Sequence, residues 1–102
     1  MTPVIETPPS ARLLLAAQPN PFNPAVTLSY DLPRAAAVTL RIHDLTGGIV
    51  RTLADGEVQS AGAHAEQWDG CGDDGRPSPS GAYLVRIAAD RAVASQRIVL
   101  VK

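Results

Sequence analysis

The clearest pattern along the chain is a two-residue alternation of apolar and polar side chains. It covers residues 26–32, 38–43 and 81–88. Successive side chains of a β-strand point to opposite faces of its sheet, so this alternation predicts strands with one face in the core and the other in water.

Shorter apolar segments between turn residues predict further strands. A Gly-Gly turn at residues 47 and 48 leads into a strand over 49–53, which is expected to end at Ala54-Asp55-Gly56. Residues 57–61 are predicted to form a loop before a strand over 63–69. With apolar segments at both ends of the chain, seven strands and no helical period predict an all-β fold, an antiparallel immunoglobulin-like or fibronectin-like β-sandwich.

The first and last predicted strands, residues 13–17 and 93–102, contain runs that are apolar on both faces. A strand with one wet face should alternate, so we expect their outer side to be covered by a neighbouring domain, another copy, or each other across an edge. The residues predicted to form an interface are Leu13, Leu14, Leu15, Arg97, Ile98, Val99, Leu100, Val101 and Lys102.

The length of 102 residues predicts one folded domain, over 12–102, because a chain this short cannot support two separate cores. Residues 1–11 carry three prolines among Thr, Ser and Glu, and we interpret them as an extended linker. The composition is 45% apolar with four aromatic residues, Phe22, Tyr30, Trp68 and Tyr83. The core should therefore be mainly aliphatic, with the aromatic side chains as anchors.

The formal net charge of −1 produces no positive electrostatic potential that would attract nucleic acid or an anionic membrane surface. No apolar run approaches the roughly 20 residues that span a bilayer, and the first residues lack the basic and apolar regions of a signal peptide. Cys71 is the single cysteine, so an internal disulfide is impossible. We expect neither nucleic-acid binding nor bilayer insertion, and any export information to lie elsewhere or at the C-terminal end.

The segment from Trp68 to Tyr83 predicts a tight connection between two strands. Asp and Gly tolerate left-handed backbone angles, while Pro77 and Pro79 disfavour both helix and sheet pairing. The residues expected to define this turn are Trp68, Asp69, Gly70, Gly75, Gly81 and Tyr83.

Asp69, Asp73 and Asp74 in this turn are weak candidates for a Ca²⁺ site, because a hard cation prefers several oxygen ligands from one loop. Their spacing does not match an EF-hand loop, and turn formation is the favoured interpretation. Neither histidine has a Cys, His or carboxylate residue at an interval typical of metal ligands. No serine has a neighbouring residue that could act as its general base. We therefore predict no cofactor, no metal and no enzymatic activity. Glu66, on the same strand side as Trp68, is expected at an edge or wet rim.

With these motifs identified, the chain from Pro19 to Lys102 resembles two related bacterial families. They are the type IX secretion system sorting domain (type A) and the immunoglobulin-like domain of the flagellar hook-capping protein. Glu66 and Cys71 depart from the family pattern, which usually has an apolar and a polar residue there. The matching motifs are Pro19-Asn20-Pro21-Phe22-Asn23-Pro24, Leu28-Ser29-Tyr30-Asp31-Leu32-Pro33, Val38-Thr39-Leu40, Asp44, Gly47, Val50, Leu53, Gly62, His64, Trp68-Asp69-Gly70, Gly75, Ser80-Gly81-Ala82-Tyr83 and residues 97–102.

The resemblance implies a C-terminal sorting signal that directs an exported protein to the bacterial outer surface. Its partners would be outer-membrane secretion machinery or neighbouring domains, and its location would be extracellular or at the cell surface. The terminal strand and the Trp68–Tyr83 turn would then form the recognition surface. The alternative hypothesis is a structural self-assembly or adhesion module, a possible homo-oligomer that joins others through its terminal strands. The hook-capping resemblance is a variant of this alternative.

Overall fold

The computed structural model describes residues 13–102, and the predicted linker over residues 1–11 lies outside the described residues. Its seven strands confirm the predicted all-β class. No helix in the described range is long and apolar enough to cross a membrane. The strands are β1 (Leu14–Gln18), β2 (Val26–Leu32), β3 (Ala36–His43), β4 (Ile49–Gln59), β5 (Gly62–Trp68), β6 (Gly81–Ala89) and β7 (Ala92–Leu100).

Two sheets pack face to face. One has three strands in the order β1-β2-β5, and the other has four in the order β4-β3-β6-β7. All pairings within the sheets are antiparallel. The strands that alternate most regularly in sequence, β2 and β6, also alternate in burial, because their apolar side chains face the opposite sheet.

The core lies between the sheets and is mainly aliphatic, as the composition predicts. The four aromatic side chains are all buried, which confirms their predicted role as anchors. Trp68 is fully buried, and the ring centroids of Phe22 and Tyr83 each lie 5.5 Å from its own. Phe22 thus closes one end of the sandwich beside the Trp68–Tyr83 turn.

The predicted end of β4 at residue 53 and the predicted loop over 57–61 are wrong, because β4 continues to Gln59. Three register shifts interrupt its pairing with β3. Gly56 has a φ of 69°, and its N–H donates to Thr39 Oγ1 at 3.2 Å. Each irregularity changes the face of the sheet on which the following side chains lie. The two-residue alternation is therefore lost although the strand continues.

The terminal strands alternate in burial despite their continuous apolar composition. In β1, Leu14 is exposed while Leu15 packs against the core. In β7, Ile98 and Leu100 are buried and Val99 is half-buried. The two strands lie at adjacent edges of the two sheets and contact each other. Of the three covers expected for these runs, mutual contact across an edge is the one seen among the described residues.

Candidate interaction surfaces

The Trp68–Tyr83 turn is held by hydrogen bonds to its own backbone. The indole N–H of Trp68 donates to the carbonyl oxygen of Cys71 at 2.8 Å. The N–H of Ser78 donates to the carbonyl oxygen of Gly70 at 2.8 Å, and the hydroxyl of Tyr83 donates to that of Pro79. The aromatic side chains at both ends are therefore tied to the turn as well as to the core.

Gly70 marks the tightest approach in this turn. Its φ is 84°, and a Cβ atom at this position would lie 3.0 Å from the backbone oxygen of Pro24. A side chain at this position would face both backbone strain and a steric clash. The turn therefore depends on glycine here.

The three aspartates proposed as weak metal ligands are occupied by separate backbone groups. Asp69 Oδ1 accepts from the N–H of Cys71 at 3.0 Å, and Asp74 Oδ1 accepts from the N–H of Arg76 at 2.9 Å. The Asp73 carboxylate instead contacts β4. Within residues 13–102, no group of three or more His, Cys, Asp or Glu side chains is arranged to hold a metal ion. The geometry supports the turn-forming interpretation.

Asp73 covers part of the free edge of β4. Its N–H donates to the carbonyl oxygen of Val50 at 2.8 Å, and its Oδ1 accepts from the N–H of Thr52 at 3.0 Å. Arg51 Nε lies 3.9 Å from the same carboxylate oxygen. An edge strand has unpaired backbone N–H and C=O groups with which another chain could pair. The contact with Asp73 satisfies two of these groups in β4.

The proline-rich segment at residues 19–24 covers the free edge of β7. The N–H of Phe22 donates to the carbonyl oxygen of Val99 at 2.8 Å, and the N–H of Val101 donates to that of Phe22 at 2.9 Å. The side chain of Asn20 donates to the carbonyl oxygen of Arg97 at 2.9 Å and accepts from the N–H of Val99 at 3.0 Å. Both edges of the four-stranded sheet are thus partly closed by the chain itself.

The three-stranded sheet presents a different surface. Its outer side carries exposed Leu14, Ala16, Ala63 and Ala65 around Ser29, which we call the alanine face. Ala16, Ser29 and Ala65 lie side by side across the three strands. This sheet therefore has small side chains on its outer side, and no described residue outside the sheet forms a backbone hydrogen bond with either of its edge strands, β1 and β5.

Tyr30 and His64 lie near one end of the three-stranded sheet, with their rings stacked and the centroids 5.4 Å apart. The hydroxyl of Tyr30 donates to Gln59 Oε1 at 2.6 Å. Burial disfavours the charged form of the Tyr30 phenol and raises its pKa above the ordinary value. Glu66 is half-buried on edge strand β5. This is the edge position expected from the sequence.

The predicted interface residues differ in how far they are buried. Ile98 and Leu100 belong to the core and are closed to a partner, which corrects their assignment to an outer surface. Leu13 and Leu15 also pack against the core, whereas Val99 is half-buried. The exposed members, for which contact with a partner stays a prediction, are Leu14, Arg97, Val101 and Lys102.

The edge-covering roles of two residues that were noted for other reasons were not predicted from the sequence. Asn20 and Asp73 act at positions far away in the chain, and an interval pattern carries no signal for such contacts. The remaining candidates have local roles. Nδ1 of His43 lies 3.2 Å from the carbonyl oxygen of Gly47, and Nε2 of His64 lies 2.7 Å from that of Ser60. Cys71 is a half-buried free thiol.

A family model for the FlgD Ig-like domain matches residues 22–92 of the sequence, well over half of the chain. The chain belongs to the FlgD Ig-like domain family. The basal-body rod modification protein FlgD of Escherichia coli K12 is 45% identical over 60 residues, which are 58% of this chain and 26% of that protein. Its counterpart in Salmonella typhimurium is 46% identical over 55 residues, 54% of this chain and 23% of that protein. The matched parts thus span about a quarter of these relatives.

Two solved structures share the fold seen here. FlgD from P. aeruginosa superposes with a TM-score of 0.58 at 21% identity, covering 86% of this chain and 70% of that one. Dimeric latent PorU from Porphyromonas gingivalis gives a TM-score of 0.71 at 21% identity, covering 85% of this chain and 9% of that one. At this level of identity both show the fold alone.

The FlgD relatives overturn the expectation of a type IX sorting signal. The sequence similarity is to basal-body rod modification proteins. Because the expected extracellular or cell-surface location rested on the sorting hypothesis, it is wrong as well. Outer-membrane secretion machinery is likewise not supported as a partner. The alternative hypothesis, a structural assembly module, agrees better with the FlgD family.

Proposed function

We propose that this chain is a non-catalytic structural module that takes part in a flagellar basal-body assembly through protein–protein contacts. The single observation that carries this proposal is the match of residues 22–92 to the FlgD Ig-like domain. The buried side of each sheet is used for the core, so a partner must engage an outer face or an edge.

The three-stranded sheet is the side of the sandwich that is best suited to such a contact. The four-stranded sheet uses Asp73 and Asn20 to occupy backbone groups at its two edges. The described residues place no such cover over β1 or β5. Unpaired strand edges are a template for adding another strand, and exposed apolar side chains gain free energy when a partner excludes water from them.

A second copy of the chain is the occupant that we infer for the alanine face. Its short side chains allow an identical face to approach closely. Among the residues of β1, β2 and β5, Asp31 is the single charged side chain on this side of the sheet, so these strands of two copies meet little like-charge repulsion. Leu14, 46% exposed, supplies the largest apolar side chain that such a contact would bury.

Sedimentation equilibrium of the full chain, over a range of concentrations, tests this self-association. We expect Ala65→Lys to weaken it, because the substitution introduces a long charged side chain in the middle of the alanine face. Ala37→Lys is the matched control, since Ala37 is an exposed alanine on the outer side of the four-stranded sheet. Thermal unfolding would establish that both variants fold.

A wild-type chain that stays monomeric at high concentration would contradict the proposed self-association. Equal weakening by Ala65→Lys and Ala37→Lys would place the contact elsewhere. Either result would leave family membership intact while removing the alanine face as the assembly surface.

A further inference from the structure

The outer face of the four-stranded sheet carries three arginines on adjacent strands. Arg41 on β3 lies directly opposite Arg86 on β6. Arg97 on β7 lies opposite Leu84, two residues along β6 from Arg86, so it is a diagonal neighbour. We call these three residues the arginine face. Directly opposite side chains on one face of a sheet are about 5 Å apart at Cβ and diagonal ones about 7–8 Å, so the long cationic side chains can reach the same extended ligand.

The fold provides few carboxylates to offset the repulsion between these arginines. Like charges directly opposite each other destabilise a sheet. Arg41 has one carboxylate neighbour, with its NH2 group 3.4 Å from Asp55 Oδ1, and its buried Nε has no hydrogen-bond partner. Among residues 13–102, Arg86 and Arg97 form no ion pair with a carboxylate. Two of the three cations are therefore available to an external ligand.

The surroundings of the arginines fit a protein partner. Leu84 and Val99 are half-buried, and Val93 is 52% exposed on the same face. Arginine is enriched in protein–protein interfaces, where aliphatic side chains also lose contact with water. Single-stranded nucleic acids are usually bound by basic grooves with aromatic stacking platforms, and the Phe, Tyr and Trp side chains of this chain are all buried.

We propose that the arginine face binds an acidic segment of a protein partner. The planar guanidinium groups of Arg41, Arg86 and Arg97 would receive its carboxylates, for which their paired N–H donors are suited. The aliphatic side chains between them would contact its apolar atoms. This surface lies on the opposite side of the sandwich from the alanine face and does not depend on self-association.

A fluorescein-labelled peptide of about ten residues with alternating Glu and Thr is a direct probe. In an extended conformation, its carboxylates share one side, as the arginines do. Fluorescence anisotropy should show binding to the full chain that weakens with salt, and no binding of the matched Lys-Thr peptide. We expect Arg86→Gln to raise the Kd about two- to fivefold at low salt, and Arg41→Gln combined with Arg86→Gln to raise it roughly tenfold.

Arg91→Gln is the matched control, because Arg91 is an exposed arginine in the turn between β6 and β7. It should leave the Kd unchanged. A second measurement, of folding stability, distinguishes an effect specific to this surface from a general loss of positive charge. Arg86→Gln should raise the folding equilibrium constant about two- to fivefold, since it relieves the repulsion from Arg41, whereas Arg91→Gln should not.

Several outcomes would overturn the proposal. They are absence of peptide binding to the wild-type chain, equal weakening by Arg91→Gln and Arg86→Gln, and tighter binding of a single-stranded oligodeoxynucleotide of the same charge. If Arg86→Gln abolished self-association of the chain instead, the occupant would be a second copy and the acidic partner would be wrong.

Discussion

Asp44 organises the hairpin between β3 and β4 through one carboxylate oxygen. Its Oδ1 accepts from the hydroxyl of Thr46 at 2.6 Å, the N–H of Thr46 at 3.0 Å and the N–H of Gly48 at 2.8 Å. Hydrogen bonding by the Thr46 hydroxyl, followed by the N–H of Gly48, lowers the pKa of the Asp44 carboxyl. The ionised form is therefore favoured in the folded turn.

This pKa shift predicts a pH-dependent contribution of Asp44 to stability. Because the folded-state pKa lies below the unfolded value of about 3.9, the stabilisation is present above that value and is lost as pH falls through the folded-state pKa. Between about pH 5 and about pH 2, urea unfolding should show a larger loss of stability for wild type than for Asp44→Asn. Asp31→Asn serves as the control aspartate.

An identical pH dependence in wild type and Asp44→Asn would contradict this prediction. Trp68 provides the fluorescence signal, since the single tryptophan is fully buried in the folded state. The difference between the two proteins is the relevant quantity, because other carboxylates titrate in both.

At the scale of single elements, the strand edges differ in how they are protected. The segment before β2 covers β7, while the connection between β5 and β6 covers β4. Both covers use a short polar side chain together with backbone groups, Asn20 in one case and Asp73 in the other. A connection that also caps a strand edge limits unintended pairing with other chains.

Asp73→Ala should open the β4 edge. The variant loses the acceptor for the N–H of Thr52, at a cost of about 1 kcal/mol in the free energy of unfolding. Hydrogen exchange of the Thr52 amide should become faster. Asp74→Ala is the matched control, because Asp74 bonds only locally, to the N–H of Arg76. Equal exchange rates at Thr52 in both variants would show that Asp73 does not protect this edge.

An element could be predicted from the sequence where the interactions that form it join residues close together in the chain. The alternation in β2 and β6 has one cause, a sheet with one face in the core, and both strands lie where the sequence predicts them. The second half of β4 was missed because bulges interrupt its alternation. The edge covers were missed because Asn20 and Asp73 act on residues 79 and 21 positions away. A turn is easier to predict because its residues act within a few positions, as the bonds of Asp69 and Asp74 to the backbone two residues further on illustrate.

At the scale of the molecule, the C-terminal end of β7 contributes to the core, since Ile98 and Leu100 are buried. Leu100 is 1% exposed, pairs with Gly81 in β6 and forms a bridge with Phe22 on its other side. Its side chain also lies close to Gly70. The end of the last strand therefore joins both sheets, the proline-rich segment and the long turn in one packing unit.

Leu100→Ala should destabilise the whole domain by about 2–5 kcal/mol, because it removes buried methyl groups and leaves a cavity at this junction. Val101→Ala, one residue further, should change the free energy of unfolding by less than about 0.5 kcal/mol, since Val101 is 47% exposed. Urea unfolding followed by Trp68 fluorescence measures both. Similar losses in the two variants would contradict the assignment of Leu100 to the core.

The cover over the β7 edge also has a mechanical consequence. The segment at Phe22 runs parallel to β7, and it is joined to Arg97, Val99 and Val101 by four hydrogen bonds. A force that pulled this segment along β7 would load these four bonds together, in shear, instead of opening them one at a time.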